Sequence, residues 1–494
     1  MSEAVLPGIV TASEATAPGL SEDWLAALLG LLVVALAIAG TAGPDLLGWV
    51  VTTSVWTDAA KALAPARPAY AALGGPGALL ATWLVLLAML SAGAAVLRAN
   101  VLRFAAGFTV AFAIAYASWF AGSYAQLAAV TPADLNKFGL TWSLKLTNEG
   151  GFIVALLAGL VIANFFPRLA AWLNEAIRPE LYIKIAIVIL GAFLAVTVAG
   201  KLAFASSLLL RGVAAIIEAY LIYWAVVYFV ARKWFGFSRE WAAPLASGIS
   251  ICGVAAAIAT GGAIRSRPGV PVLVASLVVV FAMVEVLILP FLAQTFLSHE
   301  PLVAAAWMGL SVKTDGAAVA AGGITEALIL SKAAAEGIHY QAGWLLGTTA
   351  LVTVFIDVFI GVWAFILAYI WTNHINVQPG QPRARAAEIW QRFPKFILGF
   401  VLSFAIVLYL ALTAGPDGLK QLTPAIGEAN NFRVIFFILT FFSIGVLSNV
   451  RKLWEDGLGK LVAVYVLSLF GFVIWVGLLI SWLFFAGIKP PLAI

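Results

Sequence analysis

Long apolar runs separated by short polar connections set the pattern of this chain. After a polar tail, residues 1–24, apolar stretches of spanning length fall at about 25–42, 73–97, 104–126, 150–166, 181–200, 212–231, 270–297, 343–373, 396–414, 432–450 and 461–486. About twenty apolar residues cover the hydrocarbon core as a helix, and every backbone polar group in lipid must be satisfied internally. The runs therefore predict an all-α polytopic membrane protein with about 11 full transmembrane helices. Two further stretches, near 241–264 and 302–330, are apolar but interrupted. The first reads Ser-Gly-Ile-Ser-Ile-Cys-Gly-Val-Ala-Ala-Ala from Ser247, and the second Gly-Leu-Ser-Val-Lys-Thr-Asp-Gly-Ala-Ala-Val-Ala-Ala-Gly-Gly from Gly309. Both read as broken or re-entrant membrane segments. Paired interruptions in two parts of one chain point to a secondary transporter's solute site, because helix ends opened at mid-depth expose N–H and C=O groups.

The tail has no Lys or Arg, so the run from Leu25 reads as a retained helix, not a secretory signal. No connection is large enough for a soluble domain; the longest, about 43–72, contains Pro44, Pro65 and Pro68. Trp142, Trp172, Trp241 and Trp371 flank the runs as interface anchors would. Residues 25–126 hold few intramembrane charges and read as peripheral scaffold helices, with a homodimer contact as the expected use. Residues 150–486 read as the transporter core.

Composition agrees with this class. Hydrophobic residues make up 63% of the 494-residue chain and charged residues 10%, with a mean hydropathy of +1.04, whereas a soluble domain would carry about 25% charge. The net charge of +5 is spread over short loops instead of forming a stripe, which speaks against nucleic acid as a partner. Lipid and a small solute are the expected partners. Cys252 is the only cysteine, so no intrachain disulfide forms. His299, His339 and His374 all sit near segment ends, which disfavours a haem or zinc cofactor in the bundle.

Basic residues fall at alternating connections: Arg98 with Arg103, Arg168 with Arg178, Arg232 with Lys233 and Arg239, Arg383 through Lys395, and Arg451 with Lys452 and Lys460. These connections should be cytoplasmic in a bacterial inner membrane, with the amino terminus inside and the carboxyl terminus outside. If 241–264 spans fully, Arg265 and Arg267 land outside; a re-entrant hairpin leaves them inside, and two hairpins preserve the overall parity.

Ser247 or Ser250 can cap a half-helix over the small apolar run that follows, aiming free N–H groups and a positive dipole end at an anion. Ile251, Cys252 and Gly253 would add backbone N–H groups to the solute site. The bland alternative is close packing of small residues. In the second segment Lys313 and Asp315 are two apart, a spacing that does not join them on a regular helix. With an unwound point at Gly316, Thr314 or Asp315 caps the next half-helix, Lys313 faces the solute as a fixed charge, and Asp315 is the candidate for a coupling sodium ion or proton. The alternative is a neutralising pair that makes burial tolerable. Glu218, Glu285, Glu326 and Asp357 lie in or beside apolar runs and should face the bundle, pairing with residues such as Arg211 and Lys332. Glu285, Glu326 and Asp357 are the further coupling candidates, and Lys184 reads as a snorkelling side chain. No Gly-x-x-x-x-Gly-Lys-Ser/Thr loop occurs, so transport by this chain alone is secondary or passive. Ser247, Ser250 and Cys252 have no histidine near them in sequence to serve as a base, so an enzyme is not expected.

At these residues the chain resembles a known family. Glu240-Trp-Ala-Ala-Pro-Leu-Ala-Ser-Gly-Ile-Ser-Ile-Cys-Gly-Val-Ala-Ala-Ala-Ile-Ala-Thr260 is similar to the Ser-Ile-Cys-Gly-Ala-Ala-Ala signature of the YeiH-type family grouped as sulfate exporters, and Ala155-Leu-Leu-Ala-Gly-Leu-Val-Ile-Ala-Asn164 to its Leu-Leu-Gly-Met-x-x-Gly-Asn helix. The resemblance covers roughly 150–486. It implies an inverted-repeat transporter fold related to sodium/proton antiporters and bile-acid transporters, with a crossing of broken helices. Where that family commonly carries a His-Glu pair, this chain has Lys313-Thr314-Asp315-Gly316. A fixed ammonium there in place of an imidazole changes the substrate charge and coupling. The resulting expectation is a secondary transporter of a small anion (sulfate, sulfite or a small sulfonate or carboxylate). A sodium/proton exchanger is the alternative, and a membrane enzyme or scaffold the alternative from another class.

Overall fold

The computed structural model describes residues 20–129, 132–144, 150–199, 207–208, 211–264, 266, 269–371, 375, 394–448 and 459–493. In chain order the principal helices are α1 (Glu22–Gly40), α2 (Gly74–Val96), α3 (Val101–Gly122), α4 (Gly150–Phe165), α5 (Pro179–Ala199), α6 (Ala215–Trp234), α7 (Arg239–Ser250), α8 (Val254–Ala263), α9 (Gly269–Phe296), α10 (Pro301–Ser311), α11 (Asp315–Ala335), α12 (Trp344–Val358), α13 (Ile360–Ile370), α14 (Phe396–Thr413), α15 (Gly415–Leu447) and α16 (Gly459–Phe485). Among the described residues ten helices are long and apolar enough to cross a membrane, or eleven if Gly150–Phe165 and its sharply bent continuation Pro167–Ala176 form one span. The protein is an all-α polytopic membrane protein. A two-stranded hairpin, Val51–Thr53 with Leu63–Pro65, folds the long proline-bearing connection.

The helices form two groups. In the first, α5, α14 and α15 pack together with α1 against all three, α4 lies on α15 and α3, and α2 lies on α3. The α4–α15 crossing is backbone against backbone: a Cβ on Gly159 would stand 2.2 Å from the Phe442 carbonyl oxygen, and one on Gly445 2.2 Å from that of Leu156. Small residues allow such contact, which matters in lipid because packing replaces the hydrophobic drive between helices. The second group comprises α6 to α13 and α16, and meets the first where α9 and α11 touch α15.

Both interrupted segments are hairpins. In the first, α7 and α8 run back along each other. Thr260 Oγ1 donates to Ser247 Oγ at 2.7 Å, and a Cβ on Gly248 would lie 3.5 Å from that of Ala257. In the second, Gly309 on α10 and Gly322 on α11 both press against Thr349, and His299 and Glu336 at the two open ends are 3.9 Å apart. Helix α9 joins the end of the first hairpin to the start of the second. Its 28 residues extend about 42 Å at 1.5 Å per residue, so the two hairpins open at opposite ends of α9. The first opens on the face that carries Arg232 and Arg239, the second on the face of the carboxyl-terminal segment, where Glu300 accepts from the Gly487 N–H at 2.8 Å.

Several sequence expectations change. At each interruption the chain turns back so that its two arms pack side by side, and the longer arm of the second, Ala317–Ala335, is itself one of the ten helices long enough to cross a membrane. The run placed at 432–450 belongs to a 33-residue helix that starts at Gly415, since the polar stretch before it is also helical. Lys184 does not snorkel: it pairs with Asp23 at 2.9 Å and Glu180 at 3.4 Å, and with Arg178 and Glu22 forms a charged clasp between α1 and α5. Trp371 is buried beside Ala243 and Ile264, not placed as an interface anchor. Arg265, Arg267, His374, Arg383 to Arg392, Arg451 and Lys452 lie outside the described residues.

Candidate functional site

The two hairpin tips meet beside the middle of α9. Gly253 turns the first tip at φ +68° and ψ −104°, a conformation open to glycine alone in practice. The second tip fills the space where a side chain would stand: a Cβ on Gly253 would lie 2.2 Å from the Lys313 carbonyl oxygen, 2.4 Å from Val278 Cγ1 and 3.2 Å from Thr314 Cγ2. Two half-helices therefore begin at one point. Helix α8 starts after Gly253 with no side-chain cap, whereas α11 is capped by Thr314, whose Oγ1 accepts from the Ala317 N–H at 3.1 Å.

These positions correct the predicted caps. Ser247 and Ser250 lie inside α7, before the turn, so neither caps a half-helix. Ser247 instead ties the hairpin together, accepting from Trp224 Nε1 at 2.9 Å and from Thr260. The Ser250 and Ser311 hydroxyls are buried with no hydrogen-bond partner among the described residues. Ile251 and Cys252 form the turn and are both buried. The second break falls at Val312–Thr314, not at Gly316. Asp315 opens α11 by its backbone; the role expected of its carboxylate lies outside the described side chains.

Lys313 is fully buried at this junction. Its ammonium donates to the Leu310 carbonyl and faces the Tyr223 ring, with Nζ 4.6 Å from the centroid. A desolvated ammonium gains from an aromatic face. The Lys313 N–H lies 3.5 Å from Glu285 Oε2; Glu218 and Cys252 are also close by, and among the described residues no ion pair within 4 Å joins the ammonium to either acid. Glu218 and Tyr223 bracket a π-wound turn in α6, and a second such turn, Leu469–Val473, stands opposite in α16. Widened turns release carbonyls, and side chains collect them here: Tyr223 donates to Val473 at 2.8 Å and Trp307 Nε1 to Ile474 at 2.8 Å. Ile251, Cys252, Lys313 and Thr314 are all buried at the junction, and two cavities lie away from it. One of about 230 Å³ is lined by Arg67, Lys420 and Glu428, and one of about 600 Å³ by Arg232, Arg239 and Trp371 on the basic face.

The other acids sort differently from the expectation. Glu326 accepts from the N–H groups of Gly343, Leu345 and Leu346 at 3.0, 2.9 and 3.0 Å, so it caps α12. Asp357 is buried near the end of α12. Arg211 donates to the Phe484 carbonyl and Lys332 to that of Gln294 at 3.2 Å; these are the partners found for the two cations expected to pair with the acids. Sequence reasoning left Glu218 as a structural acid and passed over Tyr223. An acid in the apolar run 212–231 was the available signal.

The family described as conserved hypothetical protein 698 matches residues 106–464. A UPF0324 membrane protein of Nitrosomonas europaea is 38% identical over 478 residues, covering 95% of this chain and 97% of that protein. An uncharacterized protein of Archaeoglobus fulgidus is 46% identical over 162 residues, 29% of this chain and 86% of that one. A UPF0324 membrane protein of Rhodopirellula baltica is 31% identical over 307 residues, 60% and 51% of the two chains. Fold and site define a polytopic membrane protein with two helical hairpins whose tips meet. The chain belongs to the UPF0324 family, which is the YeiH-type family. No solved structure matches it.

Proposed function

We propose that this protein is a secondary transporter of a small anion (sulfate, sulfite or a small sulfonate or carboxylate) working by alternating access. The observation that carries the reading is the tip junction. Two half-helices begin there, the first without a side-chain cap, and a buried lysine stands between them. Unsatisfied N–H groups and the positive dipole ends favour an anion, and Lys313 adds a full charge. Backbone groups of Ile251, Cys252 and Gly253, with the Ser250 hydroxyl, complete the cradle, while Ser247 and Thr314 hold its shape. Each hairpin reaches the junction from its own face, so displacing either one opens a path to one side. This arrangement suits an inverted-repeat mechanism of the antiporter and bile-acid-transporter kind.

The basic face lies in the cytoplasm by the charge rule, in a bacterial inner membrane. Helices α1 to α3 form the fixed scaffold and the contact of a homodimer, which native mass spectrometry with lipid retained would detect as a two-chain mass. The site is one of binding, not catalysis. Sodium/proton exchange is the second reading, favoured by the two acids, Glu218 and Glu285, that face Lys313. Proteoliposome flux of sulfate, sulfite and bicarbonate, with sodium and pH gradients imposed separately, tests both. Saturable anion exchange supports the first reading. Cation flux without any anion requirement would replace it with the second.

A further inference from the structure

Resting on the transport reading above, we infer that Glu218 and Glu285 form a paired proton site around Lys313, and that one proton enters the pair each time the ammonium turns to an anionic solute. Every element packed around the lysine supplies its share of the charge. Helix α6 brings Glu218 and Tyr223, the first hairpin brings Cys252, α9 brings Glu285, and α16 brings Tyr465, which faces Glu285. Asp315 follows along the chain itself. One buried ammonium thus shares its surroundings with two buried carboxyls, without an ion pair closer than 4 Å to either among the described residues. In a site closed to water, the neutral arrangement keeps one carboxylate against Lys313 and a proton on the other.

Hydrogen bonding points the same way. Neither oxygen of Glu218, nor Oε1 of Glu285, has a hydrogen-bond partner among the described residues, although both residues are 1% exposed. Tyr223 stands next to Glu218, but its one proton goes to the Val473 carbonyl. Among the described residues Glu218 is thus left without a donor to hold it ionised, which suits a carboxyl that carries its own proton. When an anion reaches the half-helix ends and takes the free N–H groups of Lys313, the carboxylate that had balanced the ammonium loses its partner and binds a proton. Charge is conserved: a monoanion and a proton enter together, and the ion pair becomes a neutral acid beside an ammonium–anion pair. Transfer of a monoanion is then electroneutral, and sulfate leaves one negative charge.

Two measurements on the purified full-length protein test this. Infrared difference spectra between two pH values, recorded without solute, should show protonated-carboxyl bands. Glu218→Gln and Glu285→Gln should each remove a component, and Lys313→Gln should shift what remains. Bands untouched by all three variants would overturn the inference, whatever the transport result. In the second, radiolabelled sulfite or sulfate binding is followed in weak buffer with a pH dye. About one proton should be taken up per anion bound, and affinity should fall about tenfold per pH unit through the pair's titration. Both effects should diminish toward zero in Glu218→Gln and in Glu285→Gln, each judged against anion bound in the same sample. Anion binding without proton uptake in the wild type, or loss of uptake in Asp315→Asn, would place the proton elsewhere. If the wild type binds neither anion, the transport reading falls and the infrared spectra alone decide the pair.

Discussion

Replacing Gly253 by alanine should loosen the junction of the two hairpin tips, by an amount that can be worked out from the backbone. At φ +68° a side chain strains the peptide, at about 1–2 kcal/mol. The added methyl would also stand 2.2 Å from the Lys313 carbonyl oxygen and 2.4 Å from Val278 Cγ1. The carbonyl belongs to backbone and cannot swing away, so the tip itself must shift, at about 1–3 kcal/mol for overpacking. The sum is about 2–5 kcal/mol. Unfolding entropy of about 2.1 cal/mol/K per residue gives about 1 kcal/mol/K for a chain of this size, hence a fall in Tm of about 2–5 °C in a thermal scan in detergent. Gly262→Ala is the matched control: nothing lies within 4 Å of its added Cβ, and alanine favours the helix, so its Tm should hold or rise slightly. Equal melting of the two variants would show that the tips do not press together at Gly253.

Lys184→Met should destabilise by about 1.5–3 kcal/mol, the range for a charged hydrogen bond in a part-buried pair, and Asp23→Asn added to it should cost little more; a double-mutant cycle by thermal unfolding checks this coupling between α1 and α5. Glu326→Ala strips the acceptor from three α12 N–H groups and should cost about 2 kcal/mol or more in the same assay, whereas a coupling role for Glu326 requires loss of gradient-driven uptake in Glu326→Gln at unchanged Tm. Lys313→Ala should weaken anion binding by about 2–5 kcal/mol, measured by equilibrium binding on folded protein. Unaltered affinity would remove the residue from the site.

The spans and both interruptions were legible because composition changes sharply where Gly, Ser, Lys and Asp enter an apolar run. Whether each interrupted segment crosses or turns back was not, since a reversing tip at Gly253 uses the same small residues as a tight crossing. The cap was misplaced for a related reason. Ser247 and Ser250 have the chemistry of a cap, but their helix ends after them and glycine makes the turn. Glu218 escaped because its meaning depends on Lys313, which tertiary packing brings near, and Lys184 was misread because its partner Asp23 comes from the first helix. The structural task of Glu326 was hidden on the same ground, for its three N–H partners arrive from the next helix.

The most direct measurement uses Cys252, the only cysteine in the chain, which sits in the first hairpin tip and is 5% exposed. If the tip junction is the solute site and opens to each face in turn, a small membrane-impermeant thiol reagent should label Cys252 from either side of oriented vesicles, and saturating sulfate or sulfite should slow labelling from both. Labelling from one face only, or rates that ignore solute in protein shown to move it, would contradict the assignment of the junction as an alternating-access site.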